Sequence, residues 1–228
     1  MKLSDTVFVV PAYNEEKNLP KLMKDIQKYA KGVKVLIVDD GSTDNTAQIS
    51  KKLGAITLVH KKNRGKGEGL KTAFRYLKNK KYKKIIIMDA DLQFSTKDAL
   101  KVVEALDDYD FIMGRRDWKK VPFRHALGNF VWRTTFNILY GQRLKDTNCG
   151  LIGINKKILN KLEVRGGYII ENMMLASAVK HGIEVGQVPV HVDYHIIHNL
   201  PRGSRVVSGV FFFILADGIK YRLSKLFK

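Results

Sequence analysis

The chain has 228 residues, 45% of them hydrophobic, so it is long enough to bury one sizeable core. A formal net charge of +19 raises the local concentration of anionic partners but does not choose among phosphates, nucleic acid and a membrane surface. One cysteine, Cys149, excludes an internal disulfide framework, and no Cys/His cluster has zinc-site spacing, which fits a reducing compartment.

In chain order, the first half alternates short β-rich runs with helix-period segments. Thr6 to Val10 reads as a strand, too short an apolar stretch after Met1 for a signal peptide, and Glu15 to Ala30 as a helix with Leu19, Leu22, Met23 and Ile26 on one face. Strands are predicted at 33–38, 55–59, 84–88 and 110–113, and helices at 46–53, 67–77 and 96–106. This alternation predicts a mostly parallel sheet with helices on both faces, whose ligands bind beyond the carboxyl ends of the strands.

The second half begins with an aromatic-rich helix over 124–140, then a strand at 151–154, a helix at 171–180 and a strand at 185–194. Near the C-terminus Phe212, Leu215, Ile219, Leu223 and Leu226 recur at helical spacing among Lys220, Arg222, Lys225 and Lys228. The pattern is a basic amphipathic helix that either lies in a membrane interface or packs on the core, and periodicity does not say which. We divide the chain into a main domain, 1–205, and this helix, 206–228; no apolar run reaches the roughly 20 residues of a spanning helix.

The unusual residues sit at strand ends. Asp89-Ala90-Asp91 follows the run 84–88. Residues i and i+2 of an extended segment point the same way, so both carboxylates face one cation, with the Gln93 carbonyl further along that row. Oxygen ligands of this kind suit Mg²⁺ or Mn²⁺ bridging a diphosphate. Asp39 and Asp40 end another strand, where a carboxylate can accept hydrogen bonds from a base or ribose; Gly41 to Asp44 supply a turn and a helix cap. His60 to Gly67 sets cations and glycines before a helix N-terminus, a cradle for phosphate without Walker A spacing.

Taken together, 10–15 with Pro11, Tyr13 and Glu15, 38–44 with Val38, Asp39 and Asp40, 63–67 and 89–93 closely resemble glycosyltransferase family two with the GT-A fold. The Asp-Ala-Asp-Leu-Gln form looks most like its polyprenol-phosphate sugar synthases, the dolichyl-phosphate mannose synthase group. The resemblance implies that Pro11, Tyr13, Glu15, Val38, Asp39, Asp40, Lys66, Asp89, Ala90 and Asp91 hold the nucleotide sugar, with Asp89, Asp91 and Gln93 on the metal. It also implies that Arg116, in Gly114-Arg115-Arg116, meets the acceptor phosphate, with Arg124 nearby. Asp146 to Leu151 resembles a stretch lining the sugar and acceptor pocket, and departs from it at Cys149 and Leu151. Glu171 falls where the family carries a glutamate or a Glu-Asp pair, and Asn172 departs from the latter. The stretch 199–205 resembles a loop closing over the donor, with Arg202 on the diphosphate and Arg205, in place of a lysine, toward the acceptor phosphate.

The implied activity is metal-dependent inverting transfer of a hexose from GDP-mannose or UDP-glucose to a polyprenyl or dolichyl phosphate, with Asp91, Glu171 and Asp146 as catalytic residues. The alternative is extension of a lipid-linked glycan or glycolipid at a sugar hydroxyl, which needs Glu171 or Asp146 as base. The resemblance places the protein peripherally on the cytoplasmic face of the cell membrane. No helix-turn-helix, zinc-finger or RNA-binding motif supports a nucleic-acid partner.

Overall fold

A computed structural model describes residues 3–117, 123–164, 169–193 and 203–226, the side chains of 123–126, 203–208 and 226 excepted. The elements run β1 (Thr6–Ala12), α1 (Leu19–Tyr29), β2 (Lys34–Asp39), α2 (Thr46–Lys52), β3 (Ile56–Val59), α3 (Lys66–Leu77), β4 (Lys84–Ile87), α4 (Thr96–Ala105), β5 (Phe111–Arg116), α5 (Phe123–Tyr140), β6 (Ile152–Asn155), a 3₁₀ segment (Lys156–Lys161), α6 (Ile170–Lys180), β7 (Val185–Val190) and α7 (Gly203–Leu226).

The seven strands form one sheet in the order β3-β2-β1-β4-β6-β5-β7. Every residue of β1 is buried, as expected of a strand covered on both faces. From β1 the chain winds outward to β2 and β3, then returns through α3 to β4 on the other side of β1. That reversal is a topological switch point, where the carboxyl ends of β1 and β4 open a crevice. The sheet departs from the parallel alternation at β6, which inserts antiparallel between β4 and β5. Gly153 in β6 permits α4 to lie on the sheet there, since a Cβ would come within 2.4 Å of the Val102 side chain.

Helix termini follow local chemistry. The Ser95 hydroxyl accepts from the Asp98 amide at 3.2 Å and caps α4. In α1 a proline lies in the first turn, where no amide is missed, and Leu19, Leu22, Met23 and Ile26 face the core. The helix starts four residues later than the predicted Glu15, because the amides of Glu15 and Glu16 bond side chains after β2.

The C-terminal helix begins at Gly203, so the division placed between 205 and 206 falls within its first turn. It packs on α5 through Val210, Ile214 and Gly218, with Gly218 against Leu139, while the Tyr221 ring stacks on Tyr140. The apolar stripe seen in the sequence is largely on the other side: Phe212 is 64% exposed, Ile219 43% and Leu223 48%. Leu127, Phe130, Val131 and Ile138 of α5 are also exposed, so the paired helices leave apolar groups uncovered. Among the described residues, no helix is long and apolar enough to cross a membrane.

Candidate active site

At the switch point the loops after β1 and β2 interlock. Asn14, with φ of +58°, donates its amide to Ser42 Oγ at 2.9 Å and accepts from the Thr43 amide at 2.9 Å. The Glu15 amide donates to Thr46 Oγ1 at 2.8 Å, and the Glu15 carboxylate accepts from Asn18 at 2.7 Å. Burial pushes the Glu15 carboxyl above the usual range, and nearby Asp89 and Asp44 add to the rise. Tyr13 stands 44% exposed at the rim, while Pro11, Val38 and Ala90 are buried in the floor. The Asp39 carboxylate is buried and accepts from the Ser42 amide at 3.0 Å.

Asp40 is buried and braces the neighbouring loop. Its carboxylate accepts from the amides of Arg64 and Gly65, at 3.0 and 2.6 Å, and bonds His60 Nδ1 at 2.7 Å. In this way Asp40 shapes the basic loop before α3. His60, whose other ring nitrogen meets Thr72, is a supporting residue that the sequence reading did not single out. Gly69 of α3 lies over the strand ends, its Cβ position at ordinary contact distance, 3.7 Å from Val38 and 3.9 Å from Pro11.

Lys66, the first residue of α3, reaches across the crevice. Its Nζ lies 2.6 Å from Asp89 Oδ1 and 2.7 Å from Glu171 Oε1. Burial works against the ammonium, but the two carboxylates outweigh it and hold the Lys66 pKa above the ordinary lysine range. Asp91 has the opposite problem: burial, with Asp89 beside it, pushes its carboxyl up to about 6. Gly150 closes this side, because a Cβ there would come within 2.7 Å of Asp89 Oδ2.

The geometry of Asp89 to Gln93 is not one extended row. β4 ends at Ile87, and Leu92 takes φ of +65°, so the chain turns within the motif. The Asp91 carboxylate accepts from the Gln93 amide at 3.1 Å, while the Gln93 carbonyl accepts from the Asp193 amide at 3.0 Å. Among the described residues no group of three or more His, Cys, Asp or Glu side chains is arranged to hold a metal ion. Asp89 and Asp91 fit a hard divalent cation whose other ligands would be diphosphate oxygens and water.

Asp146 lies beneath the acceptor side, paired with Arg116. It is fully buried, and its two oxygens accept from Arg116 Nε at 2.7 Å and Nη2 at 2.9 Å. A carboxylate so enclosed orients Arg116 and is not open to take a proton from an acceptor. Arg116 Nη2 also meets Asn129 Oδ1 at 3.1 Å, so an acceptor phosphate would find an arginine already oriented. Asn172, fully buried beside Glu171, donates to Asn148 Oδ1 at 2.9 Å, and its own Oδ1 has no partner among the described residues. Arg202 and the side chains of Arg124 and Arg205 lie outside the described residues. A cavity of about 490 Å³, between the ends of α5 and α6, the start of β7 and α7, contains none of the predicted site residues.

A sheet of this order, with carboxylates and a bridging lysine at its switch point, is that of a GT-A nucleotide-sugar transferase. The chain belongs to glycosyl transferase family 2, whose model matches residues 7–162. It is 26% identical to the UDP-N-acetylglucosamine–dolichyl-phosphate N-acetylglucosaminyltransferase of Methanococcus voltae, over 88% of this chain and 90% of that one. It is 24% identical to the polyprenol monophosphomannose synthase of Mycolicibacterium smegmatis, over 81% and 76%. Its fold matches that of glucosyl-3-phosphoglycerate synthase from Mycobacterium tuberculosis, solved with Mn²⁺, UDP and phosphoglyceric acid. The TM-score is 0.75 at 18% identity, over 94% of this chain and 78% of that one.

Proposed function

We propose that this glycosyltransferase moves a hexose, mannose or glucose, from GDP-mannose or UDP-glucose to a polyprenyl or dolichyl phosphate, with inversion. The observation that carries the donor half is the meeting of Asp89, Asp91 and Lys66 at the switch point. Bound there, Mg²⁺ or Mn²⁺ would neutralise charge on the leaving nucleoside diphosphate. Lys66 supplies a further fixed cation.

The acceptor half is supported by relatives named for dolichyl and polyprenol phosphates and by the uncovered apolar groups of α5 and α7. A phosphate monoester is already anionic near neutral pH and needs no strong base. That suits a site in which Asp146 is enclosed and Glu171 is tied to Lys66. Such an acceptor would put the protein peripherally on the cytoplasmic face of the membrane, with the apolar helix pair in the interface.

The test is nucleoside-diphosphate release from a panel of sugar nucleotides with Mg²⁺ or Mn²⁺, with and without a phosphorylated polyprenol, beside Asp91→Ala. Release should require both metal and phosphorylated lipid and fall at least about 100-fold in the variant. Turnover on a glycolipid hydroxyl but not on the lipid phosphate would overturn this acceptor.

A further inference from the structure

Glu171 stands in the first turn of α6, and its Oε1 receives the Lys66 ammonium at 2.7 Å across 105 residues of sequence. The same ammonium meets Asp89 Oδ1 at 2.6 Å. Lys66 is thus suspended between two carboxylates, one that belongs to the donor site and one that does not. The start of α6 is itself fixed, because buried Asn172 donates to Asn148 in the loop that carries Gly150 to the back of Asp89. The loop and the helix therefore hold Glu171 in register with Lys66.

We propose that Glu171 is a positioning residue that acts through Lys66, holding the ammonium where the nucleotide diphosphate arrives and keeping it from closing onto Asp89 alone. Without Glu171 the lysine has a single carboxylate partner, and a charge-assisted pair with Asp89 would compete with the donor for that carboxylate. One oxygen of that carboxylate, Oε1, is already taken by Lys66. This role rests on the donor-site reading above.

Calorimetric binding of UDP and of GDP in the presence of Mn²⁺, without any acceptor, tests it. Glu171→Gln should weaken the nucleotide bound by the wild type about tenfold, as loss of a hydrogen bond to a charged group implies. Lys66→Met should lose a similar factor, the double variant should lose no more than the worse single one, and Glu171→Asp should recover part of the affinity. Thermal unfolding of each variant checks that the fold is retained, and Glu171→Asp carries the test if Glu171→Gln does not fold. Unchanged nucleotide affinity with abolished turnover would identify a base and overturn the proposal, as would additive losses in the double variant. A wild type that binds neither nucleotide would instead sink the donor-site reading itself.

Discussion

Asp91 illustrates how a single residue at this site trades stability for chemistry. Its carboxyl is lifted from the ordinary 3.8 to about 6, chiefly by burial and then by Asp89, so the folded chain disfavours the ionised form. The cost is absent below about pH 4, grows as pH rises through that window, and is fully present above about pH 6. In the absence of divalent metal, Asp91→Asn should melt about 2–4 °C above the wild type at pH 7.5, with the difference vanishing near pH 4. The Gln93 amide would keep its acceptor, because asparagine retains Oδ1. A pH series of thermal melts on both proteins checks this, and an advantage that does not change with pH would refute the cause given. Gly41 shows another single-residue constraint: φ is +73° and a Cβ would come within 2.5 Å of the Lys62 backbone, so the two loops touch only because that residue is glycine.

At the scale of elements, one carboxylate of α7 reaches both α5 and α6. Asp217 accepts from the Tyr140 hydroxyl and pairs with Lys180 Nζ at 2.6 Å. Burial, with Asp217 alongside, pushes the Tyr140 hydroxyl well above its ordinary pKa, so it remains a donor. Phe136 and Tyr221 stack on either side of the Tyr140 ring. Removing the carboxylate strands a half-buried hydroxyl and an ammonium together. Asp217→Ala should cost about 1–3 kcal/mol in urea unfolding. A loss below about 0.5 kcal/mol would mean the pair is screened like an ordinary surface contact. The periodicity in the sequence marks the stripe Phe212, Leu215, Ile219 and Leu223, whereas the residues that meet the core are Val210, Ile214 and Gly218. A helix with apolar groups on both sides gives no single answer to a search for one apolar face.

For the whole molecule, the sheet fixes where each surface points. The donor crevice opens at the carboxyl ends of β1 and β4, while α5 and α7 present uncovered apolar side chains with Lys220, Arg222 and Lys225 among them. Such a surface should sediment with anionic vesicles more than with neutral ones, and less as salt is raised. Phe212→Glu together with Ile138→Glu should weaken vesicle binding at least about tenfold, since each removes an exposed large apolar group. Nucleotide binding and thermal stability should be unchanged, because both side chains are more than 60% exposed. Equal vesicle binding by the double variant would show that some other face meets the lipid.

The amino-acid sequence by itself determined the class of fold and the loops that matter, because strand and helix periods and the polar punctuation at strand ends are local properties. Asp89, Asp91 and Lys66 were legible for that reason. Only the tertiary structure decided what each carboxylate touches. It turned Asp40 under the basic loop, enclosed Asp146 against Arg116, rotated the Gln93 carbonyl onto Asp193 and brought Glu171 to Lys66. It also inserted β6 antiparallel and chose which face of α7 meets the core. These are contacts between residues up to 105 positions apart, set by sheet order and packing, and residue spacing carries no term for them.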